Sequence, residues 1–267
     1  MHMTPWPGRW AGHAALGLAA AAIAAQACAQ AGSSVMIWPV DPIIEDGQRA
    51  AALWLENRSA HSVSLQLRVL GWAQNGNEEN YETQERVVAS PPLAVIPPGQ
   101  RQLVRLMNTG PAAVPEGKEQ PYRVLVDELP TPESEAAAAA AANSMGVKLQ
   151  IRYSLPLFVY GKGLYPAHRA GRGRAAAGGG QPQLSWRLVR EGGTDYLQLR
   201  NAGPVHARLT AVQWVRDGRA VVVNPGLLGY VLPHSEMRWP LREPAPAGHA
   251  LQARVNASET PLDVPPQ

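Results

Sequence analysis

Val147-Lys148-Leu149-Gln150-Ile151-Arg152-Tyr153 reads as one β-strand with two unlike faces. Val147, Leu149, Ile151 and Tyr153 take every second position, and Lys148, Gln150 and Arg152 fall between them. Side chains alternate along a strand, so four apolar groups point one way and three polar groups the other. Upstream stand Glu135, the alanine run 136–142 and Asn143-Ser144-Met145-Gly146; downstream, Leu155 to Val159 runs into Gly161-Lys162-Gly163. The spacing predicts a strong strand between a low-complexity loop and a glycine hinge. That is the setting of a sheet edge that another chain can use.

The chain around it is patterned for strands. Val35-Met36-Ile37-Trp38, Ile43-Ile44 and Ala51 to Asn57 precede a segment in which Val63, Leu65, Leu67 and Val69 alternate with Ser64, Gln66 and Arg68. Such alternation predicts strands with one buried face. The run Asn75 to Asn80 is polar and reads as a loop. Further strands are expected at Arg86–Ala89, Arg101–Leu106 and Tyr122–Leu129, punctuated by Pro91-Pro92 and Pro97-Pro98-Gly99. Short strands, Pro/Gly turns and few helix candidates predict an all-β sandwich. The alanine run has high helix propensity, but Pro130, Pro132 and Gly146 confine it, and it reads as a loop. Tyr165 to Pro182, with Arg169, Arg172, Arg174 and Gly178-Gly179-Gly180, carries no apolar pattern and reads as a second loop. Strands resume at Leu184–Val189, Asp195–Asn201, Ala207–Val215, Ala220–Val223, Tyr230–Pro233 and Ala250–Val255. Two β domains are therefore expected, at 32–160 and 161–267, behind a leader at 1–31.

The leader reads as an export signal. Arg9 is its one Arg or Lys, it holds no acid, and its apolar run Ala14–Ala25 is too short to span a bilayer. Cleavage after Ala27, Ala29 or Ala31 satisfies the small-residue rule equally well. The chain has 24 Lys+Arg against 21 Asp+Glu, a formal charge of +3 that falls to +2 without Arg9. So small an excess gives no case for nucleic-acid binding. The leader also carries Cys28, the single cysteine, so the exported chain needs no disulfide framework and must fold by core burial. No membrane span is expected after its removal.

Catalytic constellations are absent from the sequence. His61, His168, His206, His234 and His249 are scattered without metal-ligand spacing, and each reads as a satisfied or exposed surface histidine. There is no G-x-S-x-G elbow, phosphate loop or dinucleotide fingerprint. The expectation is a protein with no catalytic residues, no metal and no cofactor.

The order of features resembles a family, the PapD-like periplasmic chaperones of pilus assembly, in particular their archaic branch. The resemblance covers about residues 34–255. It rests on Pro97-Pro98-Gly99-Gln100-Arg101-Gln102-Leu103-Val104-Arg105-Leu106, on Tyr122 to Pro130 with its Glu128-Leu129-Pro130 end, and on Arg152-Tyr153-Ser154-Leu155-Pro156. In the second domain it rests on Asn201-Ala202-Gly203-Pro204 and Leu232-Pro233-His234-Ser235. It implies two immunoglobulin-like β-sandwich domains in an L-shaped arrangement. It also implies a periplasmic location, with two partners: pilus subunits of incomplete Ig-like fold and an outer-membrane usher. The resemblance further implies that the strand quoted first is lent to a subunit whose own sandwich lacks one, with Val147, Leu149, Ile151 and Tyr153 entering its core. A secreted Ig-like pilus subunit or adhesion module is the alternative reading.

The resemblance breaks at one place. Family members carry an Arg on the first strand and a Lys on the last strand of domain one, which bind the subunit's C-terminal carboxylate in the interdomain cleft. Here Pro42 and Pro156 stand at those positions. Arg152, on the strand face of Pro156, is the expected replacement, followed by Lys162 and Arg105; Arg105 is equally readable as an ion-pair partner of Glu128. The family's interdomain bridge from the position of Glu128 also lacks its arginine, since Tyr160 occupies that place.

Overall fold

The computed structural model describes residues 35–110, 114–132, 151–166 and 179–267, which form nineteen strands. In the first half these are β1 (Val35–Trp38), β2 (Ile43–Ile44), β3 (Ala50–Asn57), β4 (Val63–Asn75), β5 (Glu78–Thr83), β6 (Val87–Ser90), β7 (Leu93–Ile96), β8 (Arg101–Asn108), β9 (Glu119–Leu129) and β10 (Arg152–Tyr160). They build a sandwich of two sheets, one ordered β1-β3-β8-β6 and the other β2-β10-β9-β4-β5, with β7 also paired to β4. The core between them holds Leu53, Leu55, Leu65, Leu67, Val104, Leu106, Val124, Val126, Leu155 and Leu157. These are the in-phase positions of the alternating segments, which is why period two decides the fold.

The second half holds β11 (Tyr165–Pro166), β12 (Gly179–Gly180), β13 (Leu184–Glu191), β14 (Thr194–Asn201), β15 (Ala207–Arg216), β16 (Arg219–Val231), β17 (Ser235–Pro240), β18 (Ala250–Val255) and β19 (Leu262–Val264). A three-stranded sheet, β13-β14-β17, faces a four-stranded one, β16-β15-β18-β19, across a core that includes Leu197, Leu199, Leu209, Val212, Trp214 and Leu251. The two halves share a buried device. Asn57 and Asn201, both fully buried, end a strand and use their amides to bridge a following turn to a more distant carbonyl. Asn57 Nδ2 donates to His61 O and Ile96 O; Asn201 Nδ2 donates to Val205 O and Val231 O. Each buried amide is thereby satisfied while it closes the turn.

Three expectations need correction. Residues 75–80 are not a loop: β4 and β5 form a hairpin whose turn is Gly76-Asn77, both at positive φ. All six residues of β5 are exposed, so the strand carries no apolar pattern. The glycine hinge is a packed turn rather than a loose one. A Cβ on Gly161 would lie 2.0 Å from Pro115 O, and the turn is held by Gly161 N–H to Lys118 O at 2.9 Å and Gly117 N–H to Lys162 O at 2.9 Å. The strands expected at Ala220–Val223 and Tyr230–Pro233 are one strand, β16, continuous through Asn224-Pro225-Gly226 with register shifts against β15. The leader, the alanine run, Val147, Leu149 and the loop arginines at 169, 172 and 174 lie outside the described residues.

Candidate functional site: an open strand edge and a fastened domain junction

β10 is paired unequally on its two sides. Along one side it meets β9 at every residue from Arg152 to Tyr160; along the other, among the described residues, it meets only β2, at Phe158 and Val159. Ile151 O accepts from Glu128 N–H on β9, whereas Phe158 N–H points the other way, to Pro42 O at 3.4 Å. Backbone groups alternate in direction along an antiparallel strand. Arg152 and Ser154 therefore turn both N–H and C=O to the side that no described residue pairs, and Pro156 turns a carbonyl only. Among the described residues, β10 has an open edge from Arg152 to Leu157.

Side-chain parity follows the sequence reading for the described residues of the stretch. Tyr153, Leu155, Leu157 and Val159 face the core of the first sandwich, with Ile151 half-buried in phase with them. Tyr153 reaches across to the opposite sheet, where its hydroxyl meets the Val35 backbone. Burial pushes that hydroxyl's pKa up, the Val35 contact works against the rise, and the Glu128 charge adds to it.

The other parity of β10 carries Arg152, Ser154, Pro156 and Phe158, in one row set with Asp127, Leu125, Arg123 and Pro121 of β9. Arg152 Nε is paired with Asp127 Oδ1, and Arg68 Nη2 lies 2.8 Å from Asp127 Oδ2. Partial burial would raise the Asp127 pKa, but the hydrogen bonds from Arg152 and Arg68 outweigh it and hold the carboxyl below its usual range. Arg152 is thus engaged rather than free, and it stands six residues from Phe158, about 20 Å along the strand. Lys162 is exposed on the turn after β10. Arg105 points outward from β8, on the opposite sheet from Glu128, so the alternative reading of Arg105 as an ion-pair partner of Glu128 does not hold: the core separates them.

At the far end of that face the two domains are fastened. Trp72, Phe158, Tyr160 and Leu164 pack with Val205, Tyr230 and Leu232 in one buried cluster. Phe158 stacks on His206 with ring centroids 3.5 Å apart and planes within 4°, and Trp72 meets Tyr230 edge-on at 5.5 Å. Glu119, whose side chain is fully buried, accepts from His206 N–H at 3.1 Å and lies 2.9 Å from His206 Nδ1. Gln74 acts as one more rung of a ladder: its Nε2 donates to Tyr230 O at 2.9 Å and its Oε1 accepts from Leu232 N–H at 2.8 Å. Buried Arg123 lies 3.7 Å over the Trp72 ring and 3.8 Å from Glu79. Tyr81, exposed as a residue but hydrogen-bonded at its hydroxyl to that same Glu79, has its pKa pushed up to about 12, by partial desolvation of that hydroxyl first and then by the Glu79 contact. Of the two expected states His206 takes the satisfied one, but buried at the domain junction rather than on the surface. Only the cross-domain packing reveals its role, because nothing in its local sequence pairs it with Glu119.

The comparisons bear on this geometry. Residues 34–164 match the family described as pili and flagellar-assembly chaperone, PapD N-terminal domain. The solved CsuC–CsuE chaperone–tip adhesion subunit complex from the archaic Csu pili of Acinetobacter baumannii includes a chain 30% identical to this one. The match has a TM-score of 0.65 and covers 88% of this chain and 99% of that one. The chain belongs to the PapD-like pilus-assembly chaperones. It is a pilus-assembly chaperone of two Ig-like domains, in a family that works in the periplasm. The fold is shared at lower identity with the Pseudomonas aeruginosa CupB2 chaperone, at 16% identity and TM-score 0.55 over 87% of this chain and 100% of that one. The Salmonella enterica SafA pilin–SafB chaperone complex matches at 18% and 0.55, over 88% and 97%. No curated protein sequence matches the chain.

Proposed function

We propose that this chaperone holds its pilus subunit by adding β10, extended upstream through Val147 and Leu149, to the subunit's incomplete sheet. The observation that carries this reading is the open edge from Arg152 to Leu157, backed by apolar side chains in phase at Ile151, Tyr153, Leu155 and Leu157. An unpaired edge with apolar backing is a template for another chain. Each aliphatic side chain that the subunit covers contributes roughly 1.5–3 kcal/mol before ordering costs. The role is non-catalytic. The leader at 1–31 delivers the chain to the periplasm, and an outer-membrane usher receives the loaded complex.

Arg152 takes the subunit's C-terminal carboxylate, with Lys162 and then Arg105 behind it. Two features support Arg152: it lies on the same face as the domain junction, and its partner Asp127 keeps Arg68 if Arg152 moves to a new anion. A guanidinium fork suits a carboxylate that has lost its water. Lys162 has position, beside the junction; Arg105 faces away from it.

Amide exchange tests the strand addition. The N–H groups of Arg152 and Ser154 should exchange readily in the free chaperone and become protected in the subunit complex. Unchanged exchange at both, in a complex shown to be intact, would refute it.

A further inference from the structure

A cavity of about 270 Å³ opens between the domains on the β9–β4 side of their junction. No residue that lines it also lines the cleft on the β2–β10 side, at Asp41, Ile43, Phe158 and Arg208. Its walls come from both domains. The first domain gives the end of β4, Trp72 to Asn75, and the entry to β9, Lys118 to Pro121. The second gives Pro204 and the turn Leu232 to Ser235. Those residues belong to the two turn motifs that the sequence singles out in the second domain, Asn201-Ala202-Gly203-Pro204 and Leu232-Pro233-His234-Ser235. Strand addition at β10 gives neither motif a task.

The walls are preformed. Asn201 Oδ1 accepts from Gly203 N–H at 2.9 Å and its Nδ2 donates to Val205 O at 2.7 Å, which fixes Pro204 between them. Ser235 N–H donates to Leu232 O at 3.2 Å across the other turn, and Gln74, bonded to Tyr230 O and Leu232 N–H, joins the two domains. Trp72, Pro121, Pro204 and Pro233 give the cavity rigid apolar surface. Its charge is one-sided. Glu119, the one carboxylate on the lining, has a fully buried side chain held by His206 N–H and Nδ1, whereas Lys118 is exposed. One polar group is left over. Trp72 is 2% exposed, and its Nε1 has no hydrogen-bond acceptor among the described residues. A buried donor without an acceptor is unfavourable, so a ligand that supplies one gains on binding.

We propose that this cavity is a binding site for a small planar aromatic carboxylate, which braces the two domains against each other. Three features select that class. The volume admits about a dozen non-hydrogen atoms, at the lower end of small-molecule sites. Tryptophan and proline walls favour a flat ring. Lys118 and the Trp72 N–H favour an anion rich in acceptors. A ligand that touches both domains binds one interdomain angle in preference to others, so its arrival narrows the hinge.

Indole-3-acetate, indole-3-acetamide and tryptamine share one ring and carry negative, zero and positive charge. Titrated into the whole chaperone and followed by calorimetry, the acetate should bind saturably with a Kd on the order of 1 mM. The acetamide should bind roughly tenfold more weakly, and tryptamine not measurably. Lys118→Glu, at an exposed position, should reverse that order with the unfolding midpoint unchanged. Trp72→Phe keeps an aromatic ring, removes the N–H and should weaken the acetate about fivefold or more. Saturating acetate should raise the unfolding midpoint of wild type and leave that of Lys118→Glu in place. No saturable binding, equal affinity for the three probes, or indifference to Lys118→Glu would overturn the proposal, whatever Trp72→Phe does to the junction. These arms use the free chaperone and stand whether or not β10 is the holding strand. The chaperone loaded with its subunit should bind the acetate as the free one does. Exclusion by the subunit would make the cavity part of the subunit's own site and overturn the assignment.

Discussion

Ile151→Asp is the sharpest perturbation of the open edge. Ile151 is half-buried in the free chaperone, and its carbonyl accepts from Glu128 N–H, a backbone bond that the substitution keeps. The remaining half of the side chain is what a subunit would cover, worth about 1–1.5 kcal/mol. Placing a carboxylate in that apolar groove adds at least about 2–3 kcal/mol for an unpartnered polar group. The sum, about 3–4.5 kcal/mol, corresponds to a loss of roughly 10²–10³-fold in affinity. Titrating a purified subunit into the variant and following its protection from proteolysis measures this directly. The free variant should unfold within about 4 °C of wild type, because its own core changes by no more than about 1 kcal/mol. A loss under tenfold, with the variant folded, would mean that Ile151 does not enter the subunit and that the parity argument for β10 fails.

Arg152→Ala should weaken an intact subunit and cost nothing extra for one whose C-terminal carboxylate is amidated; equal losses would move the anchor to Lys162. Glu119→Ala leaves the buried His206 N–H without an acceptor and should destabilise the chaperone by about 2–4 kcal/mol in denaturant unfolding. Glu119→Gln should cost clearly less, because its amide can accept from that N–H and donate to Nδ1, and equal losses would argue against this hydrogen-bond account. Asp127 has a lowered pKa in the folded chain, so its contribution to stability is complete above its unfolded value of about 3.9 and is lost as pH falls through the folded value. The stability difference between wild type and Asp127→Asn should therefore be constant from neutral pH to about pH 5 and shrink below about pH 4; a difference that grows on acidification would reverse the assignment.

Strands with an inner face were legible in the sequence because burial writes itself at period two: Val63 to Val69 and Tyr122 to Val126 name the core almost residue by residue. β5 and β7 were not, for opposite reasons: β5 buries nothing, and β7 is four residues between proline pairs. The alternation at Ile151 and Tyr153 was legible by the same period, which does not say whether a partner's core or the chain's own receives them. Period alone did not say that Arg152 would be held by Asp127, since that pair joins residues 25 apart through the β9–β10 register. The junction was the least legible part. Gln74, Glu119 and His206 lie in separate strands or turns, and each contact spans two domains. The family's bridge from Glu128 gave no guide, because a buried Glu119–His206 pair serves the junction in this chain.

The edge and the junction are mechanically one feature. β2 closes the edge of β10 at Phe158 and Val159, and Phe158 is also the ring that stacks on His206 of the second domain. Ile43, opposite Phe158 in that short parallel pair, packs against the same cluster. A chain added along Arg152 to Leu157 therefore runs into the place where the second domain is fastened. There it meets a cleft lined by Asp41, Ile43, Phe158, His206, Arg208 and Tyr230. Arg208 hydrogen-bonds Tyr230 in that cleft; burial raises the Tyr230 pKa, and the cation opposes the rise. The end of an added strand thus faces a preformed wall, not a surface that must be ordered on arrival. Binding costs fall when the receiving groups are already fixed. Gln74, Glu119 and the Arg123–Trp72 stack fix them, each from the first domain, and this explains why so many buried polar groups are spent on a junction that a simple apolar contact could have closed.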